Sequence, residues 1–142
     1  MNHRLATLLL ILSVGCSSGD QTAPTDRSIE GTWILAASVR GGLADCYVGG
    51  VQLTLTPTDS GFAGSTDGGA VVCADGAETV QIEAPSRRVF HGTLVGDSVS
   101  FSLAFRFSSY AGVFEGEDVM RGELVEGIGA RQNRGVWRAT RR

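Results

Sequence analysis

The sequence predicts an all-β fold, a small antiparallel up-and-down β-barrel of about eight strands that follows a signal peptide and a flexible tether. Three observations support this prediction. Apolar residues recur with a period of two after residue 30, turn-forming residues separate these runs at short intervals, and no long helical period follows the signal. A β-sandwich is the alternative arrangement of the same strands.

Residues 1–15 have the layout of a secretory signal peptide. Arg4 supplies a positive charge, an apolar run occupies residues 5–12, and small residues precede Cys16. The apolar run is shorter than the roughly 20 residues that a membrane-spanning helix needs. The sequence therefore predicts export and removal of this segment.

The segment Leu12-Ser13-Val14-Gly15-Cys16 resembles the signal of bacterial lipoproteins. The resemblance implies that Cys16 becomes the first residue and carries a diacylglyceryl thioether and an N-linked acyl chain such as palmitate. Several acyl chains anchor a protein firmly to a membrane. Ser17 after the cysteine implies the outer membrane, on its periplasmic side, in a host with two membranes. An ordinary cleaved signal with a coincidental cysteine is the alternative.

The mature chain divides into a linker and one domain. Residues 16–30 are polar, contain Pro24 and lack apolar periodicity, as expected of a flexible linker behind the lipidated N-terminus. Residues 31–142 form the predicted barrel domain. Cutting after residue 15 leaves 11 arginines against 15 acidic residues, a net charge of −4. This mild acidity, with scattered arginines, argues against a nucleic-acid partner.

The strands follow from the alternation of apolar and polar residues. The clearest run is 98–107, in which Val99, Phe101 and Leu103 share one face. The motif F-x-G recurs at Phe62, Phe90 and Phe114 and suggests hairpins of similar build, unless the repeat is coincidental. The predicted strands, some of which merge to leave eight to ten, are 31–39, 51–57, 62–66, 70–74, 78–84, 88–95, 98–107, 112–116, 118–125 and 134–141.

Two cysteines remain in the mature chain, Cys46 and Cys73. An even pair in an exported chain predicts a disulfide. A metal site is the rival interpretation, but the mature chain offers only His91 as a histidine ligand and no close ligand spacing.

The two tryptophans predict how the barrel closes. Gly31-Thr32-Trp33 and Gly135-Val136-Trp137 open the first and last strand-like runs, which we expect to lie side by side. Gly31-Thr32-Trp33 resembles the G-x-W motif of lipocalins and their smaller calycin relatives. That resemblance implies an arginine from the barrel's end, Arg138 or Arg141, packed over Trp33.

Residues for catalysis are sparse. His91 is the one conventional general base of the mature chain, and we expect it on the outer face of a strand if Phe90 is buried. Glu115, Glu117 and Asp118 form an acidic cluster that suits either a hard cation or, more simply, a solvated turn. We therefore expect no enzyme activity, no metal and no cofactor.

The apolar face leads to two functional hypotheses. In the first, a barrel anchored to the membrane holds a small apolar or amphipathic ligand. In the second, the barrel has a filled core and is a structural or protein-interaction module of the envelope, because no polar residue is clearly placed to specify a ligand. The interior of an eight-stranded barrel is wide enough either to be filled by its own side chains or to hold one small ligand. The expected lining residues are Trp33, Leu35, Leu53, Leu55, Phe101, Leu103 and Phe105.

The lipid anchor is testable directly. We expect Cys16→Ser to release the exported protein from the membrane fraction, because the substitution removes the thiol that carries the diacylglyceryl group. Membrane fractionation of the wild type and the variant measures this. Unchanged membrane retention of Cys16→Ser would exclude the anchor.

Overall fold

A computed structural model describes residues 27–41, 44–104, 108–128 and 131–142; the predicted sites Cys16 and Phe105 lie outside these ranges. No helix in these ranges is long and apolar enough to cross a membrane. The strands described are β1 (Gly31–Arg40), β2 (Asp45–Thr58), β3 (Gly61–Asp67), β4 (Ala70–Asp75), β5 (Glu78–Glu83), β6 (Arg87–Val95), β7 (Ser98–Leu103), β8 (Ser108–Phe114), β9 (Val119–Ile128) and β10 (Arg131–Arg141).

Eight of these strands close into an antiparallel barrel. The order around the barrel is β1-β10-β9-β8-β7-β6-β3-β2, and β2 pairs again with β1. Strand β1 is therefore hydrogen-bonded on both sides, to β10 and to β2. Closure removes the free strand edges that an open sheet exposes. The predicted fold class is confirmed.

Two bends explain how ten segments make an eight-stranded meander. Strand β2 pairs with β3 along its C-terminal half and with β4 along its N-terminal half. The chain bends between β3 and β4 at Gly68 and Gly69, and it bends again between β5 and β6. The two bends are joined by a hydrogen bond in which the amide of Ala84 donates to the Gly69 carbonyl oxygen at 3.1 Å. Beyond the bends, β4 and β5 form a hairpin, the flap, that extends past the barrel wall.

The barrel has two different ends. At the lower end the segment 27–30 reaches β1, and Ile29 there is buried. The upper end holds the flap, the end of β1 and the start of β2. Between the two ends, the inward-facing residues of the barrel strands make one core. This core includes Trp33, Leu53 and Met120, all fully buried.

Trp137 lies across the inner wall, where Gly112 leaves room for its ring. Its indole Nε1 donates to the carbonyl oxygens of Glu123 (3.0 Å) and Ala111 (3.2 Å), on β9 and β8. Gly122 and Gly112 are cross-strand partners beneath this path. A Cβ at Gly112 would lie 2.8 Å from a ring carbon of Trp137. The missing side chain of Gly112 therefore makes room for the indole, whose buried N–H donor is satisfied by the wall itself.

Arg141 seals the lower end. Its guanidinium carbon lies 4.2 Å from the centroid of the Trp33 ring, a cation–π contact. The same guanidinium donates to the carbonyl oxygens of Glu30 (2.6 Å) and Ser28 (2.7 Å) and pairs with Asp118 at 3.2 Å. It therefore ties the segment before β1 to the last strand. Arg141, and not Arg138, is the arginine over Trp33.

The tryptophan prediction is correct in its strands and wrong in its register. First and last strands are neighbours, but Trp33 lies opposite Arg141, whereas Trp137 lies opposite Ala37. The two rings are thus offset along the barrel. Arg138 lies exposed on the outer face of β10.

The predicted repeat of F-x-G hairpins is wrong. Phe62 and Phe114 are buried, but Phe90 is 44% exposed. A register shift between Phe90 and Thr93 marks a β-bulge, where His91 has a φ of 52°. The bulge changes which residues of β6 point inward. Before it, Val89 points inward and Phe90 points outward.

The disulfide is confirmed. Cys46 and Cys73 are bonded across β2 and β4, where they are direct cross-strand partners. The bond ties the flap to the barrel strand from which it extends.

The lower closure gives a stability prediction. We expect Arg141→Ala to lower the free energy of unfolding by about 2 kcal/mol, because it removes a cation–π contact and several charge-assisted hydrogen bonds, some of them partly exposed. Urea denaturation measures the change. The control is Arg142→Ala, since the Arg142 side chain donates only to Gln52 at an exposed position. Equal effects of the two substitutions would contradict the sealing role of Arg141.

Candidate functional site

The core contains a small cavity at the upper end, beside the flap. This upper cavity has a volume of about 70 Å³. Leu35 and Val51 border it from the barrel, Val71 borders it from the flap, and the Cys46–Cys73 disulfide forms part of the wall. The remaining lining residues are Val39, Val48, Thr66, Ala84, Pro85, Arg87, Leu103, Tyr110 and Glu126.

The predicted lining residues divide between this cavity and the packed core. Leu35 and Leu103 line the cavity. Trp33, Leu53, Leu55 and Phe101 do not; they are at most 2% exposed and belong to the packed barrel core. Phe101 stacks on Tyr110 with ring centroids 4.8 Å apart, which fills the interior just below the cavity. Among the described residues, the lower barrel is thus packed, and this cavity lies at the upper end.

The flap continues the apolar lining outside the cavity. Ile82 is the cross-strand partner of Val71, and Val80 is the partner of Cys73. Direct partners share a face of the sheet, so both β5 side chains lie on the side that lines the cavity. They are 56% and 58% exposed. The result is an apolar surface that leads from solvent to the cavity.

Four polar residues complete the cavity wall. Thr66 is 2% exposed, and its hydroxyl accepts a hydrogen bond of 3.1 Å from the amide of Arg87, which fixes the start of β6. The side chains of Arg87, Tyr110 and Glu126 bring a cation, a phenol and a carboxylate to the same cavity. An apolar pocket with a few convergent polar groups is typical of a small-molecule site.

Burial sets the ionisation of Tyr110. Burial raises the pKa of its phenol to about 12, and the carboxylate of Glu126 adds to the rise, while Arg87 and Ser108 oppose it. A phenol in these surroundings stays neutral at physiological pH and keeps its proton to donate. It is therefore a hydrogen-bonding group and not a nucleophile.

The sequence analysis did not identify any of the four polar residues. For two of them, the alternation of apolar and polar residues indicates an inward-facing side chain. Tyr110 has the same parity as buried Phe114, and Glu126 has the same parity as buried Leu124. The strand prediction began β8 at residue 112 and ended β9 at residue 125, so both side chains fell into predicted loops. Arg87 was likewise placed in a turn.

The other predicted sites lie away from the cavity. His91 is exposed on the outer side of β6. In the acidic cluster, Glu115 pairs with Arg121 and Asp118 pairs with Arg141. Within the described ranges, no group of three or more histidine, cysteine or acidic side chains is arranged to hold a metal ion.

Comparisons with known protein families, with curated proteins and with solved structures found no match to this chain. The structure itself shows a small closed antiparallel barrel of eight strands, which is consistent with a lipocalin-like fold.

The environment of Tyr110 gives a pH prediction. Its folded-state pKa of about 12 exceeds the ordinary value of 10.0. The stabilisation it represents, roughly 2–3 kcal/mol, is complete below pH 10 and is lost as the pH rises towards 12. The tyrosinate absorbance of Tyr47→Phe, which leaves Tyr110 as the only tyrosine, should therefore rise with a midpoint near 12. A midpoint near 10 would show that the phenol is solvated.

Proposed function

We propose that the protein is an exported, membrane-anchored binding module of the bacterial envelope, with the upper cavity as its site. The observation that carries the proposal is an apolar cavity that combines the side chains of Tyr110, Arg87 and Glu126 at one end of an otherwise filled barrel. The ligand is a small amphipathic molecule, whose apolar end enters the cavity and whose polar end meets these three groups.

The volume of the cavity limits how the ligand binds. Sites that enclose a whole drug-sized ligand measure roughly 300–1,000 Å³, whereas the upper cavity measures about 70 Å³. It admits a short alkyl group and not a whole lipid. The rest of an amphipathic ligand lies along the apolar face of the flap, over Val80 and Ile82.

The polar groups set the orientation of the ligand. Arg87 suits a carboxylate or phosphate head, since guanidinium and oxyanion form charge-assisted hydrogen bonds. The neutral phenol of Tyr110 donates a further hydrogen bond deeper in the wall. Glu126 disfavours a second negative charge. A monoanionic head group next to a short alkyl chain fits this arrangement.

The tether supports access from solvent. The described chain begins at Arg27, whose guanidinium pairs with Asp97 at 3.1 Å at the lower end of the barrel. An anchor at Cys16 therefore holds the domain by the end opposite to the upper cavity. The cavity then faces the space beyond the membrane to which the protein is attached.

The packed lower barrel favours a second candidate function, a structural or protein-interaction module of the envelope. Trp33, Leu53, Leu55 and Met120 are at most 1% exposed, so most of the interior is occupied by the protein's own side chains. Under this alternative, the upper cavity is a packing defect and binds nothing in solution.

Filling the cavity separates the two candidates. We expect Val71→Phe to abolish ligand binding, because the larger side chain occupies the cavity from the flap. Binding is measured with straight-chain alkanoic acids from butanoate to octanoate by methyl NMR shifts, and native mass spectrometry of the purified protein reports any bound species.

The control for this test is Val72→Phe. Val72 follows Val71 on β4 and points to the opposite face of the flap, so this variant should bind as the wild type does. Binding retained in Val71→Phe would exclude the cavity as the site. No binding of any acid by the wild type, with no bound species, would favour the structural alternative.

A further inference from the structure

The outer wall of the barrel carries a shallow trough on the side of β1, β10 and β9. Its floor is a row of directly opposed outward residues that runs across five strands: Tyr47, Ser38, Val136, Glu123 and Ala111. The floor is mixed: Val136 and Tyr47 are 60% and 53% exposed, Ala111 and Ser38 are small, and Glu123 adds one carboxylate. The concavity over this row measures about 850 Å³.

The trough forms where the outward residues are small. Ser38 and Ala111 belong to the floor, and Ala36 lies in the next outward row. The partners Gly112 and Gly122 come next to two floor residues along β8 and β9, and the indole of Trp137 packs against Gly112 on the inner side. Five strands at about 4.8 Å spacing give the trough a length of roughly 19 Å.

Arginines border the trough on both sides. Arg138 and Arg121 are direct cross-strand partners in the row below the floor. Arg40 and Arg134 are direct partners in the row above it. The two borders are four residues apart along β10, roughly 13 Å. Arg121 and Arg138 line the trough itself, and Arg40 and Arg134 line the surface directly above it. The four guanidinium groups outnumber the carboxylates of Glu123 in the floor and of Glu115, which pairs with Arg121.

These arginines are not arranged for stability. Like charges directly opposite each other in an antiparallel pair are destabilising. Arg121 has Glu115 as a partner, but Arg40, Arg134 and Arg138 form no ion pair or side-chain hydrogen bond with any residue that the structure describes. The whole chain has a net charge of −3, so a cluster of four arginines is not a consequence of its composition.

We propose that this trough binds an extended acidic segment of another envelope protein. The occupant is narrow, because the site is a concave trough between two rows of arginines and not a protruding surface that a flat bilayer would meet. Successive side chains of an extended chain point to opposite sides, so consecutive Glu or Asp residues reach the two arginine borders in turn. About six extended residues span the length of the trough. The proposal rests on a different wall from the upper cavity and does not depend on the ligand proposed there.

The test uses fluorescein-labelled octaglutamate as the probe, with octaglutamine as its uncharged counterpart, and reads binding by fluorescence anisotropy. Wild-type protein should bind octaglutamate only, and less tightly as salt rises. Arg134→Gln/Arg138→Gln should weaken binding about fivefold, a typical effect of losing two exposed ion pairs. Arg88→Gln, on the outer face of β6, is the matched control and should bind as the wild type does.

Two further measurements make each outcome decisive. Neutralising Arg134 and Arg138 relieves like-charge repulsion, so the Tm of the Gln double variant should be equal to or above that of the wild type. A loss of binding by this variant is then not caused by unfolding. Arg134→Lys/Arg138→Lys keeps the charge and should keep most of the binding. Equal binding of octaglutamate by the wild type and the Gln double variant overturns the proposal, as does equal binding of octaglutamine.

A membrane is the competing occupant of a positive surface. Sedimentation with vesicles of phosphatidylglycerol and phosphatidylcholine tests it in the same buffers. Vesicle binding that depends on Arg134 and Arg138, in a protein that does not bind octaglutamate, would replace the acidic segment with a lipid surface and overturn the proposal.

Discussion

The hydrogen bonding of β1 on both sides is the constraint on which the rest of the structure depends. Once β10 and β2 both pair with this strand, its inward residues Trp33 and Leu35 are enclosed by the whole ring of strands. The same closure brings the end of the chain under its beginning, so that Arg141 reaches the ring of Trp33. Closure therefore creates the core and one sealed end together.

The difference between the two ends is a consequence of chain geometry. At the lower end, aromatic and cationic side chains pack over the core: Trp33 and Phe114 meet edge to face at 5.8 Å, and Arg141 covers them from outside. At the upper end, the bends after β3 and β5 lead two strand segments away from the wall into the flap. The interior there loses part of its packing, and the cavity lies where those strands depart.

Sequence alone predicted the parts of the fold that depend on alternation. Clean runs such as 98–103 predicted inward Val99 and Phe101, and both are buried. The prediction failed where a local irregularity changes parity or pairing. The bulge at His91 turned Phe90 outward, and Gly49-Gly50 concealed the N-terminal half of β2, which therefore was not predicted as strand. Alternation does not determine register, which explains why the offset between the tryptophans was not predictable.

The candidate site was harder to predict than the fold because it depends on where strands end. Leu35 and Leu103 were identified as lining residues, since any inward residue is a candidate. Tyr110 and Glu126 were missed because their strands extend further than the apolar pattern shows. The arginine borders of the outer trough were missed for another reason. They exist only once the register places Arg40 opposite Arg134 and Arg121 opposite Arg138.

Methyl NMR under xenon pressure distinguishes a barrel that is packed below and hollow above from one packed throughout, because xenon enters apolar cavities and shifts the methyl groups that line them. We expect shifts at Leu35, Val51 and Leu103, and none at Leu53, Leu55 or Met120. Shifts of equal size at Met120 and Leu53, or no shift at Leu35 and Leu103, would contradict this expectation.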